Sequence, residues 1–253
     1  NVNMKKISVL NIKGGVAKTT SAINLAAILS EKGNKVLVVD VDAQSNLTMS
    51  FKAYDIDALS VSDILLDKEI DIDSVIKKTE YENIDILPSN ISLAFTEKKI
   101  LLDVTRNQQN RLKRVLDKIE DKYDYCIIDC PPSLNMITIN ALVASDEVIV
   151  PIKIDKFALD GLEYLLESID EIKEEFNPNL QFKGCFVTMD TATTVNKEIK
   201  KALKSILKDK MFNTSIRQNV SVTEASFEQI PVVHYKKNSN ASKDYKDLVA
   251  EVF

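Results

Sequence analysis

The chain has 253 residues, 28% of them charged, with only 5 glycines and 6 prolines, so residues 1–253 are expected to form one α/β domain with no linker or low-complexity tract. Its formal net charge of −5 divides unevenly, −9 over residues 1–180 and +4 over 181–253, which puts the candidate surface for a polyanion in the last third. Cys126, Cys130 and Cys185 lack metal-ligand spacing with the single His234, no apolar run approaches the ~18 residues that span a bilayer, and no signal-peptide pattern appears. These features read as reduced buried thiols in a cytoplasmic protein with no membrane partner.

Residues 7–12 form a short apolar strand that runs into Lys13, Gly14, Gly15, Val16, Ala17, Lys18, Thr19 and Thr20. An amphipathic helix over 20–32 follows, with Ile23, Ala26, Ala27 and Leu29 at near-helical spacing. A turn of this kind points successive backbone N–H groups inward, and the helix adds its unpaired N–H groups and positive dipole end, so phosphate oxygens fit there. Lys18 would reach the β and γ phosphates, and the Thr19 hydroxyl would complete the shell of a Mg²⁺ seated on them. The strict pattern G-x-x-x-x-G-K-[ST] is not met, since Ile12 and Ala17 stand at its two glycine positions.

Gly33 and Asn34 end the helix, and the β-branched run 35–39 reads as a strand buried on both faces of a parallel sheet. It delivers Asp40 and Asp42 to its carboxyl edge, where open α/β sheets place ligands. Asp42, further out and followed by Gln44 and Asn46, is chosen as the carboxylate that sees the phosphates. Residues 48–100 are poorly legible, apart from a short capped helix begun by Ser60 and a strand over Ile84–Leu87 before Pro88. A helix is expected over 104–120, on the spacing of Leu112, Val115, Leu116 and Ile119.

Tyr125–Asp129 is a second buried strand ending in an acid, closed by Pro131 and Pro132. Asp129 at its tip is placed to hold a Mg²⁺-bound water opposite Thr19. A helix over 135–145, a strand over 146–151, a long helix ending at Asn177 and a strand over 182–188 continue the alternation. The expected architecture is a doubly wound, mostly parallel sheet with helices on both faces. Along 194–210, Ile199, Ala202, Leu203, Ile206 and Leu207 sort to one side. Lys197, Lys200, Lys201, Lys204 and Lys208 fall within an arc of roughly 100° on the other, with no acid among them. Residues 211–216 read as a last strand, Val220–Phe227 as a short helix and 241–253 as a closing helix.

The order of these motifs resembles the deviant P-loop ATPases of the ParA/MinD class, and most closely the ParA/Soj-type partition ATPases. The resemblance is carried by Lys13 to Thr20, Asp40 to Gln44, Asp129 with the prolines after it, Ala158 to Leu162, and Asn219 to Ala225. It implies a P-loop NTPase-like fold and slow, partner-stimulated ATP hydrolysis with Mg²⁺. It also implies a homodimer that sandwiches two ATP molecules, with Lys13 crossing to the partner's phosphates, Asp42 positioning the attacking water near the metal, and Arg217 and Asn219 lining the adenine. Nonspecific DNA and a ParB-like centromere-binding protein are the implied partners, and nucleoid-associated cytoplasm the implied location. The lysine stripe with Arg217 is the expected DNA contact. Two departures stand out: the family usually has glycine at Ala17, and its DNA-binding arginines align with Thr193 and Ser221. A MinD-like membrane-associated ATPase is the alternative, and it would need the C-terminal helix as an amphipathic anchor.

Overall fold

The computed structural model describes residues 3–253. Strands β1 (Lys5–Val9), β2 (Val36–Asp40), β3 (Lys77–Lys78), β4 (Ile84–Leu87), β5 (Tyr125–Asp129), β6 (Glu147–Lys153) and β7 (Gln181–Thr188) form one sheet in the order β3-β4-β2-β5-β1-β6-β7. Every neighbouring pair is parallel except β3 with β4. The helices are α1 (Lys18–Glu31), α2 (Asn46–Ser50), α3 (Val61–Leu66), α4 (Leu93–Leu102), α5 (Arg111–Asp117), α6 (Met136–Ala144), α7 (Ala158–Phe176), α8 (Thr194–Leu207), α9 (Val220–Phe227), α10 (Val232–Tyr235) and α11 (Asn240–Val252).

The alternation of side chains along a strand explains why the buried runs lack a polar face. On β2, Val36 and Val38 belong to the buried cluster that also holds side chains of α1, α10 and α11, while Leu37 and Val39 belong to the opposite cluster, which holds side chains of α3 to α7. On β5, Ile127 faces the first layer and Cys126 and Ile128 the second. This is the doubly wound, mostly parallel sheet that the sequence implies. All three cysteines are buried and free, with burial pushing each thiol up to about 12. No helix among the described residues is long and apolar enough to cross a membrane.

Four expectations differ from the structure. The helix expected over 104–120 is only Arg111–Asp117, because Asp103 and Asn107 accept the backbone N–H groups of Thr105, Gln109 and Asn110 that a longer helix would have used. Residues 211–216 meet β7 through one isolated bridge, Met211 with Cys185, instead of forming a strand, since the N–H groups of Asn213 and Thr214 bind the Glu251 carboxylate on α11 (2.6 and 2.8 Å). Strand β6 continues past Pro151 to Lys153, for β1 has ended by then and asks for no N–H there. Ile206, sorted with the buried side of α8, is 65% exposed.

Candidate functional site

Residues 10–17 link β1 to α1 and are gripped at both ends. The buried Asn11 side chain donates to the Pro151 carbonyl (2.8 Å) and accepts from the Lys13 N–H (3.0 Å). At the far end the Val16 carbonyl accepts the Thr188 hydroxyl (3.0 Å). Gly15 and Ala17 both take left-handed backbone, at φ 69° and 63°. Alanine there is strained by about 1–2 kcal/mol, which is the condition under which its replacement of glycine matters. Ala17 is also the N-cap of α1, with no side-chain cap and no acid in the first turn. The leading N–H groups of α1 are therefore left for an anion.

A cavity of about 490 Å³ opens over this loop, bounded by residues 14–20, Asp42, Thr188, Met189, Arg217, Asn219 and Tyr245 among others. Lys18 lies on its floor only 8% exposed, and among the described residues its ammonium has no carboxylate partner. A desolvated, unpaired cation is costly unless an anion joins it. Beside it the Thr19 hydroxyl donates to Asp129 Oδ2 (2.6 Å), while Asp129 Oδ1 is buried and has no hydrogen-bond partner among the described residues. A hard cation with its water shell fits that orphaned oxygen and the neighbouring hydroxyl. Burial, then the neighbouring Asp40 charge, pushes the Asp129 carboxyl up.

Asp40 and Asp42 would share a face if β2 continued, but the strand stops at Asp40. Asp40 is fully buried and accepts from Thr48 N (2.9 Å), Thr48 Oγ1 (2.7 Å) and Asp42 N (3.1 Å), so it fixes the start of α2. Asp42 stands half-buried on the cavity wall, its carboxylate receiving the Gln44 N–H (3.0 Å). Of the remaining candidates, Lys13 pairs with Asp155 of its own chain. Arg217 lies on the cavity rim with its guanidinium and N–H bound to Asp244 of α11 (2.9–3.0 Å). Asn219 caps α9 through the Ser221 N–H (2.8 Å).

The lysine stripe is only partly free. Lys200 pairs with Asp190 (2.6 Å), and Lys204 donates to the Met211 carbonyl (3.0 Å) and Asn213 (3.2 Å). Lys197, Lys201 and Lys208 are exposed, Lys208 lying just past the end of α8. Thr193 caps α8, and Ser221 is buried. Thr188, Met189 and Tyr245 were not singled out from the sequence. Thr188 ends a recognisable strand, but nothing in its pattern says that the strand reaches the loop after β1.

A glycine-bearing loop with a buried lysine and a threonine–aspartate pair, at the carboxyl ends of a parallel sheet, defines a P-loop nucleotide-binding protein. A family profile described as an AAA domain matches residues 4–182. The sporulation initiation inhibitor protein Soj of Bacillus subtilis is 39% identical over 98% of both chains. A Borrelia burgdorferi B31 structure described as a plasmid partition protein bound to AMPPNP superposes with a TM-score of 0.84 at 30% identity, over 99% of this chain and 98% of that one. A Mycobacterium smegmatis cobyrinic acid a,c-diamide synthase with an ATP analogue and magnesium gives 0.83 at 30% identity, over 98% and 93%. The chain belongs to this AAA-domain family, among the Soj/ParA chromosome-partitioning ATPases.

Proposed function

We propose that this protein is a Mg²⁺-dependent ATPase of DNA partition that binds ATP in the cavity over residues 13–20. The observation that carries the reading is Lys18, nearly buried and unpaired on the cavity floor. Its ammonium would neutralise the β and γ phosphates, while the N–H groups at the head of α1 bind their oxygens. Thr19 and Asp129 would hold Mg²⁺, the latter through water, and the ion would supply further neutralisation of phosphate charge. Asp42 would orient the water that attacks the γ phosphate. The base would lie toward Met189, Arg217 and Asn219, on the side that α11 closes.

Hydrolysis in this reading belongs to a homodimer with ATP at the interface. Lys13 leaves Asp155 and reaches the other subunit's phosphates, so that dimerisation and turnover are linked, as with a trans-acting arginine. The ATP dimer then holds nonspecific DNA on the nucleoid, and a ParB-like partner in the same cytoplasm stimulates hydrolysis and release. The membrane-anchored alternative is disfavoured because Tyr245, Leu248, Val249 and Val252 of α11 are buried within the fold.

Calorimetry with ATP and Mg²⁺ tests the core of this. Lys18→Ala is expected to abolish ATP binding while the fold persists. Near-normal affinity in that variant would remove the nucleotide reading.

A further inference from the structure

The phosphate loop carries a conflict that the surrounding fold has to resolve. Ala17 is held at φ 63° and ψ 35°, a conformation that an L-residue with a Cβ leaves readily unless its neighbours hold it. Its own side chain offers no polar atom, and the carbonyl on its C-terminal side is taken by the first helical bond, from the Ser21 N–H (2.9 Å). Its N-terminal side is a single peptide plane shared with Val16. In a trans peptide the C=O and N–H lie in that plane and point in opposite directions. Whatever fixes the direction of the Val16 carbonyl therefore also fixes where the Ala17 N–H points.

One side chain grips that carbonyl. Thr188, at the carboxyl end of β7, is 1% exposed, borders the cavity, and donates its hydroxyl to the Val16 oxygen at 3.0 Å. The other acceptor within reach, the Ile152 carbonyl, is further off at 3.4 Å. Strand β7 is one of the two edge strands, separated from β1 by β6. The bond thus ties the phosphate loop to an element far along the chain, where rigid sheet hydrogen bonds hold the donor in place.

We propose that Thr188 is a positioning residue for nucleotide binding: its hydroxyl holds the Val16–Ala17 peptide so that Ala17 keeps the left-handed backbone the phosphate loop requires. Thr188 need not touch the nucleotide. The consequence is a specific coupling between two residues. With alanine at position 17 the grip is needed, because the loop would otherwise relax away from the binding shape. With glycine at position 17 the left-handed backbone is freely available, and the grip becomes largely redundant.

The proposal rests on the reading of this cavity as a nucleotide site, and the test separates the two. ADP with Mg²⁺ is titrated calorimetrically into the full-length protein and into Thr188→Val, Thr188→Ser, Ala17→Gly and the Thr188→Val/Ala17→Gly double variant. Thr188→Val, which keeps the shape and loses the donor, is expected to weaken ADP binding about fivefold, the size of one neutral hydrogen bond. Thr188→Ser is expected to restore wild-type affinity. In the Ala17→Gly background the same Thr188→Val change is expected to cost less than about twofold. An equal loss in both backgrounds, or no loss in either, overturns the positioning role while leaving the nucleotide site intact. Failure of the wild-type protein to bind ADP removes the nucleotide reading itself and this proposal with it.

Discussion

Two carboxylates near the carboxyl ends of neighbouring strands carry opposite consequences. Asp42 faces the cavity and its carboxylate holds only the Gln44 N–H of its own turn, so Asp42→Ala is expected to keep ATP affinity and slow hydrolysis by at least about a hundredfold, as read by phosphate release beside calorimetry. A variant that hydrolyses normally would show that another group orients the water. Asp129 instead is buried beneath Thr19 with one oxygen unpaired, and its pKa is raised well above the unfolded value. The folded, metal-free protein therefore keeps a proton that the unfolded chain has lost. From this group, stability falls as pH rises from the ordinary carboxylate value toward about 8, and is level above that. Asp129→Asn removes the cost, so in EDTA it is expected to raise the melting temperature more at pH 8 than at pH 5. An equal gain at both would contradict the burial account.

Helix α8 shows what periodicity can and cannot tell. Its lysine arc was legible because 3.6-residue spacing sorts charge from apolar side chains. Its ion partner was not, because Asp190 lies outside the helix, in the loop before it, where helical periodicity says nothing of its position. The stripe lysines without a partner among the described residues are thus Lys197, Lys201 and Lys208. Lys197→Glu with Lys201→Glu is expected to weaken nonspecific DNA binding and flatten its salt dependence, by about 0.9 in log–log slope for each phosphate that is no longer neutralised. An unchanged titration would remove α8 from the DNA surface. The strands β2 and β5 and the loop after β1 were likewise legible, since buried parallel strands and phosphate loops impose local residue choices. The 103–110 loop was hidden because side-chain acceptors at Asp103 and Asn107 overrode a helical apolar pattern. The role of α11 was hidden too: amphipathic spacing marks a buried face but does not say that Tyr245 borders a cavity opened by α1 or that Asp244 holds Arg217.

At the level of the molecule, the sheet gathers the candidate phosphate-binding residues of one chain around a single cavity, and Lys13 stands outside its lining, held by Asp155. If that pair competes with the contact across the dimer, Asp155→Asn is expected to shift dimerisation to lower protein concentration in the presence of ATP, and sedimentation at graded concentrations checks it. ATP is expected to join two chains into the hydrolytic unit, a step for which Lys13 is required. The most direct test is sedimentation velocity of the Asp42→Ala protein with Mg²⁺ and either ATP or ADP, alongside phosphate release from wild type and Lys13→Ala. Dimers with ATP, monomers with ADP, and hydrolysis reduced to background in Lys13→Ala are the expected results. An Asp42→Ala protein that stays monomeric with ATP, or a Lys13→Ala protein that hydrolyses ATP at the wild-type rate, would contradict this.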